Sequence, residues 1–275
     1  MARGLNAVYL VGTLVQAPEL RYTPGGLAIL ELNLAGNDHV IGDDERQREL
    51  AWYHRVTAFG AQAEALANQL QEGSPVFVEG RLNYRTWESQ EGQKRSALDV
   101  NAQRVDLLTL GTRGTDATVV DARGQHRLKD ALNEVMIVGN LTRDAELRYT
   151  PNGAAVTRFS VAVNERFRSR GGDEQERTHY VDVNVWRELA EAAGELKRGD
   201  PVFVIGRLVN DSWTDKEGNR RFTTRLEGQR VEFLTRGPGS GGAGTRPERA
   251  AQDAQARPST LDIDEEFPPE EDLPF

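Results

Sequence analysis

Residues 6–38 read NAVYLVGTLVQAPELRYTPGGLAILELNLAGND, and residues 133–165 read NEVMIVGNLTRDAELRYTPNGAAVTRFSVAVNE. About 15 of these 33 paired positions are identical, including the block Leu20-Arg21-Tyr22-Thr23-Pro24 and its copy Leu147-Arg148-Tyr149-Thr150-Pro151. The likeness continues downstream. PVFVEGRL, from Pro75 to Leu82, recurs as PVFVIGRL, from Pro201 to Leu208, and Trp87 recurs as Trp213. A period of about 127 residues is far longer than a solenoid unit, so the chain is a duplicated domain.

Within each copy the apolar residues alternate. Val8, Leu10 and Gly12 interleave with Tyr9, Val11 and Thr13; Leu30, Leu32 and Leu34 interleave with Ile29, Glu31 and Asn33. A period of two marks strands with one face buried. Pro24-Gly25-Gly26 and Pro151-Asn152-Gly153 supply turns. One stretch per copy changes period: Ala63, Leu66, Ala67 and Leu70, then Gly73; Leu189, Ala192, Ala193 and Leu196, then Gly199. That spacing predicts a short amphipathic helix closed by glycine. Three strands, a helix and two strands is the element order of the OB-fold, so the expected class is all-β: two tandem OB-folds, each a five-stranded Greek-key barrel with one short helix.

The expected boundaries are residues 1–110 for the first barrel, 111–130 for a connector, 131–236 for the second barrel and 237–275 for a tail. In the connector, residues 117–120 and 125–128 flank Asp121-Ala122-Arg123-Gly124, whose end residues suit a type I turn, so a short hairpin is expected, with a disordered linker the alternative because isolated hairpins are only marginally stable. The tail is Gly-rich, lacks apolar periodicity and ends LDIDEEFPPEEDLPF, a composition expected to be disordered.

The chain has no cysteine, which removes disulfides, thiol nucleophiles and cysteine-based zinc sites. No nucleophile elbow, Walker loop or HExxH appears, so neither an enzyme nor a cofactor or metal is expected. His54 and His179 do not superimpose under the repeat and read as surface, barrel or interface residues. No membrane span or secretory signal is evident, which points to the cytoplasm.

The net charge of −9 argues against nucleic acid until its distribution is considered, because residues 237–275 carry about −6 of it. A single-strand binder needs cations for phosphates and aromatic faces for bases. Aromatic and basic residues interleave on the third strand and the last hairpin of each copy. The candidate phosphate contacts are Arg3, Arg55, Arg81, Arg85, Arg95, Arg166, Arg168, Arg207 and Arg221. Phe77 and Phe203, in apolar strands, read as core. Tyr22 and Tyr149 could equally plug the barrel or face a ligand. Arg21 and Arg148 could equally bridge to Glu19 and Glu146 or contact phosphate.

The run from Asn6 to Gly12, the LRYTP-Gly-Gly block, Tyr53-His54-Arg55-Val56 with Phe59-Gly60, Gly80-Arg81-Leu82 and Trp87 occur in the order typical of one family. With the acidic tip ending Leu273-Pro274-Phe275, the chain resembles the bacterial single-stranded DNA-binding proteins, in the two-barrel form of the Deinococcus–Thermus group. The resemblance implies sequence-independent binding and protection of single-stranded DNA in replication, recombination and repair, and a homodimer with four OB-folds. It implies partner recruitment through Asp272, Leu273, Pro274 and Phe275. Carried over by position, the base-stacking residues are Tyr53, Phe59, Trp87, Phe167, Tyr180, Trp186 and Trp213. The first copy departs from the family pattern: Val40 stands where a loop tryptophan is common. Trp52 is one residue from the other, and by parity faces away from Tyr53. The second copy is the richer in aromatics, with Phe167 and Trp186. For the dimer, the edge of the first strand is the expected seam between chains.

Overall fold

The structure, a computed structural model, describes residues 4–41, 47–88, 94–109, 117–121, 124–168, 174–214 and 220–234. The first copy contains β1 (Leu5–Leu14), β2 (Glu19–Tyr22), β3 (Ala28–Ile41), β4 (Gln47–Phe59), α1 (Gly60–Ala67), β5 (Pro75–Glu88) and β6 (Lys94–Leu107). The connector contributes β7 (Thr118–Val120) and β8 (His126–Leu128). The second copy contains β9 (Leu132–Leu141), β10 (Glu146–Tyr149), β11 (Ala155–Arg168), β12 (Glu174–Trp186), α2 (Arg187–Ala193), β13 (Pro201–Thr214) and β14 (Arg220–Phe233).

Each copy closes into a five-stranded barrel. In the first, β1 pairs antiparallel with β5, β5 with β6, and β3 with β4, while β6 runs parallel to β4 at Val56↔Val100 and β3 returns to β1 at Thr13↔Ala35. The second repeats this circuit, with β12 and β14 parallel at Val183↔Leu226. The buried face of the alternation supplies the cores: Val8, Leu10, Leu30, Leu32, Val56 and Val78 in one, Ile137, Phe159, Val161, Val183 and Val204 in the other.

Two local expectations change. A short additional strand, β2 or β10, holds the LRYTP block against β3 or β11. The helices stop at Ala67 and Ala193, short of the glycines. Leu70 and Leu196 lie beyond the helix ends yet remain 6% exposed, so the apolar spacing reported core contacts rather than helix length. Gly73 and Gly199, at φ 78° and 89°, make the following turns, a conformation side chains disfavour.

The seam between the barrels lies inside the chain. β1 pairs antiparallel with β9. Val8 faces Val135, its own repeat equivalent, while Leu5 faces Val138 and Val11 faces Leu132. This register is that of a local two-fold axis through the Val8–Val135 pair. It corrects the expectation that the β1 edge pairs with another chain, because β5 and β9 occupy both of its edges.

Candidate nucleic-acid interface

The Gly-Arg-Leu motif acts structurally at the seam. At Gly80 and Gly206 the β5–β6 and β13–β14 registers shift by a bulge. A Cβ there would stand 2.7 Å from the Asn101 carbonyl oxygen, or 2.0 Å from that of Glu227, so only glycine fits. Two residues on, the Asn6 side chain receives the Leu82 N–H at 2.8 Å and donates to the Leu82 carbonyl at 2.9 Å. Asn133 does the same for Leu208, at 3.0 and 2.8 Å. Each asparagine thereby completes the ladder where the first strand of its barrel turns to the other copy.

The arginines of the motif cross the seam. Arg81 of the first copy pairs with Glu165 of the second, and Arg207 of the second pairs with Asp38 of the first at 3.5 Å. Asp38 and Glu165 are repeat equivalents, so the two pairs are related by the same local axis. Arg207 also donates to Glu227 at 2.6 Å and is 4% exposed. This removes it from the phosphate contacts: its charge is consumed inside the molecule by two carboxylates. Arg81 remains partly exposed while held by Glu165.

Two histidines are buried at the same junction. His54 Nε2 lies 3.2 Å from the Leu208 carbonyl and 3.4 Å from Asn133 Nδ2. Burial lowers its pKa to about 4, so it is neutral near pH 7. His179 stands 3.4 Å from Glu165; burial, then Arg177 and Arg81, lower its pKa. Its repeat equivalent is Trp52, 3% exposed and stacked on His54 with ring centroids 5.1 Å apart. The Trp52 indole N–H approaches Asp38 without closing a well-formed hydrogen bond. Burial raises the pKa of Asp38, and Arg207 opposes the rise.

On the opposite parity of β4, Tyr53 and Phe59 are each 38% exposed. Tyr53, Arg55 and Arg85 line a cleft of about 610 Å³ together with Asn33, Asp99 and Gln125, and Leu208 and Thr224 of the second copy contribute to its wall. Arg55 pairs with Glu31 at 3.4 Å, and Arg85 pairs with Asp99. In the second copy Tyr180 and Trp186 are half-buried on the corresponding strand, and Ala162↔Tyr180 repeats the register Ala35↔Tyr53. Trp87 stands opposite Arg95, and Trp213 opposite Arg221, in the two long hairpins. The side chains of Trp87, Arg95, Arg166, Phe167, Arg168, Trp213 and Arg221 fall outside the described residues, as do Arg3, the hairpin tips and the whole tail with Asp272, Leu273, Pro274 and Phe275.

Three readings are resolved by packing. Phe77 and Phe203 are not core: both are half-buried on the outer faces of β5 and β13, and Phe77 stacks on Tyr9 with ring centroids 6.4 Å apart. Tyr22 and Tyr149, each 57% exposed, do not plug the barrels, and the Tyr22 hydroxyl donates to Glu64 on α1 at 3.3 Å. Arg21 and Arg148 bridge to Glu19 and Glu146 at 3.0 and 3.1 Å. The seam residues Asn6, Asn133, Asp38 and Glu165 were missed. Their signal was present: they open and close the two repeated blocks with the same side-chain chemistry.

The fold and cleft define a tandem OB-fold protein whose two barrels share one continuous sheet. The chain belongs to the Single-strand binding protein family, whose profile matches residues 5–108 and 132–234. It is 55% identical over 278 residues to the single-stranded DNA-binding protein of Thermus aquaticus, covering all of both chains. It is 48% identical over 307 residues to that of Deinococcus radiodurans, again over both full lengths. The crystal structure of the wild-type Thermus aquaticus protein superimposes with a TM-score of 0.69 at 48% identity, over 88% of this chain and 98% of that one.

Proposed function

We propose that this chain binds single-stranded DNA without reading its sequence and protects it during replication, recombination and repair. The observation that carries this reading is the convergence of Tyr53, Arg55 and Arg85 on one open cleft walled by both barrels. Aromatic faces stack on any base at about 1–3 kcal/mol each, and cations track the phosphates, so affinity needs no base-edge readout. Phe59, Trp87, Phe167, Tyr180, Trp186 and Trp213 extend the stacking surface. Arg81, Arg95, Arg166, Arg168, Arg221 and Arg3 extend the cationic one. The acidic tip, Asp272 to Phe275, recruits partner proteins by offering a phenyl ring and carboxylates to an apolar pocket rimmed by basic residues. The work is done in the cytoplasm, on the nucleoid.

The working unit in this reading is a homodimer with four barrels. Its support is the outer face of the β5–β1–β9–β13 sheet. There Val11 lies beside Phe77 and Leu132, Met136 beside Ala7 and Ile205, and Val138 beside Leu5 and Phe203. These residues alternate with core residues and stay half-buried or exposed in the single chain. A largely apolar face about a local two-fold, interrupted where Tyr9 lies between Glu79 and Glu134, suits packing against its own copy.

Titration with poly(dT) tests the binding. Intrinsic fluorescence is quenched as tryptophans stack, and the affinity falls with salt at a log–log slope of about −0.7 per neutralised phosphate. Duplex DNA binds far more weakly. Unchanged fluorescence and no retention of poly(dT) would reject the reading.

A further inference from the structure

The connector does more than join the barrels. Asp121 uses both carboxylate oxygens. Oδ1 accepts the Gln125 N–H at 2.9 Å and holds the turn of its own hairpin, while Oδ2 accepts the Tyr53 hydroxyl at 2.8 Å. The turn is fixed further by Gly124 N–H to the Asp121 carbonyl at 2.9 Å and by Gly124 at φ 80°. The hairpin is itself pinned to the first barrel. The Thr13 hydroxyl donates to the His126 carbonyl at 2.7 Å, Leu128 pairs with Gly36 and is 5% exposed, and His39 lies 3.3 Å from Asp130. Tyr53 is also gripped from the other barrel, where its backbone N–H donates to Asn210 Oδ1 at 3.2 Å.

We propose that the connector hairpin is a working part of the DNA cleft, with Asp121 the positioning residue that holds the Tyr53 ring ready to stack. This rests on the single-strand-binding reading and adds a function for residues 117–128. A phenol anchored at its hydroxyl keeps its ring faces available while losing its freedom to swing, so less order remains to be imposed when a base arrives. The carboxylate has an opposing effect, since it sits behind Tyr53 and beside Gln125, both of which line a cleft meant for phosphates. The seat therefore has to be tested where charge is screened.

Binding of poly(dT) by the full chain is measured at about 1 M salt, where the screening length is about 3 Å. Tyr53→Phe keeps the ring and the hairpin but removes the bond, and weakens binding about threefold. Asp121→Ala, which also removes the Gln125 bond at the turn, weakens it at least about threefold, and the double variant is no weaker than Asp121→Ala, because the Tyr53 bond is already gone there. Wild-type affinity in Tyr53→Phe, or a double variant about threefold weaker than Asp121→Ala, would overturn the proposal. A second readout needs no DNA: the resonance of a fluorotyrosine at position 53 narrows in Asp121→Ala as the ring is released. An unchanged line overturns the seat. Loss of wild-type binding to poly(dT) would instead reject the DNA reading and leave the resonance as the test of the seat.

Discussion

Along the cleft strands the two barrels keep two aromatic positions and reverse two charged pairs. In the first, Arg85 on β5 pairs with Asp99 on β6; the second places Asp211 and Arg225 at the same two positions, paired at 3.1 Å. On the neighbouring strands Glu31 and Arg55 pair at 3.4 Å, and their equivalents are Arg158 and Asp182. Tyr53 and Phe59 meanwhile become Tyr180 and Trp186, with the register unchanged. The difference shows what each position is for. Facing strands need opposite charges across the pair, and either polarity satisfies Coulomb's law. A ring must sit where a base can reach it, and no exchange with its neighbour preserves that. At these four positions a cation in one copy therefore does not carry over to the other, while the Tyr53 and Phe59 rings do.

The largest expected difference between the copies lies at the seam. Arg207→Ala strands Asp38 and Glu227, both largely buried, and should cost about 3–5 kcal/mol in urea unfolding. Arg81→Ala, whose side chain is 40% exposed, should cost less than about 1 kcal/mol. Equal losses would show that the two pairs are energetically alike despite their burial.

Next in size is the pH effect of the first copy's buried histidine. With a folded pKa of about 4 and an ordinary value near 6.5, His54 binds its proton less readily in the native state. Its contribution is complete above pH 6.5 and is lost as pH falls toward 4, by about 3 kcal/mol. Urea titrations at pH 7, 5.5 and 4.5 should show this loss in the wild type. His54→Gln should abolish that share of the slope, and an identical slope would place the titration elsewhere.

Binding should show a smaller asymmetry. Trp186→Ala is expected to weaken poly(dT) binding more than Phe59→Ala, by about 1 kcal/mol, since the larger ring stacks on more of the base. Fluorescence titration of both variants decides the order. The smallest effect should come from transplanting polarity. Arg85→Asp combined with Asp99→Arg gives the first barrel the arrangement of the second, and should alter stability by less than about 0.5 kcal/mol. A loss well beyond that would mean the polarity is fixed by a neighbour outside the pair.

How much was legible follows from the range of each interaction. The period of two, the turn glycines and the duplication are local or self-referential, so they announced two barrels and placed Tyr53 and Phe59 on one face. Arg207 could not be separated from Arg81 by the same means. Both stand in Gly-Arg-Leu, and only the approach of Asp38, Glu227 and Glu165 from distant strands distinguishes a buried cation from an accessible one. Phe77 failed for a related reason. An apolar strand buried on one face, with a second apolar face left half-covered, has the same composition as one buried on both.

The sequence by itself determined the all-β class, the duplication, the helix positions and the shared face of Tyr53 and Phe59, because each is written in residues near one another or in the comparison of one copy with the other. Tertiary structure alone decided which edge of β1 is occupied, which arginines are consumed at the seam, and that Asp121 of the connector reaches Tyr53. Those outcomes depend on how two closed barrels meet across a local two-fold axis. That geometry is set by the sum of many contacts between residues far apart in the chain, and no short stretch encodes it.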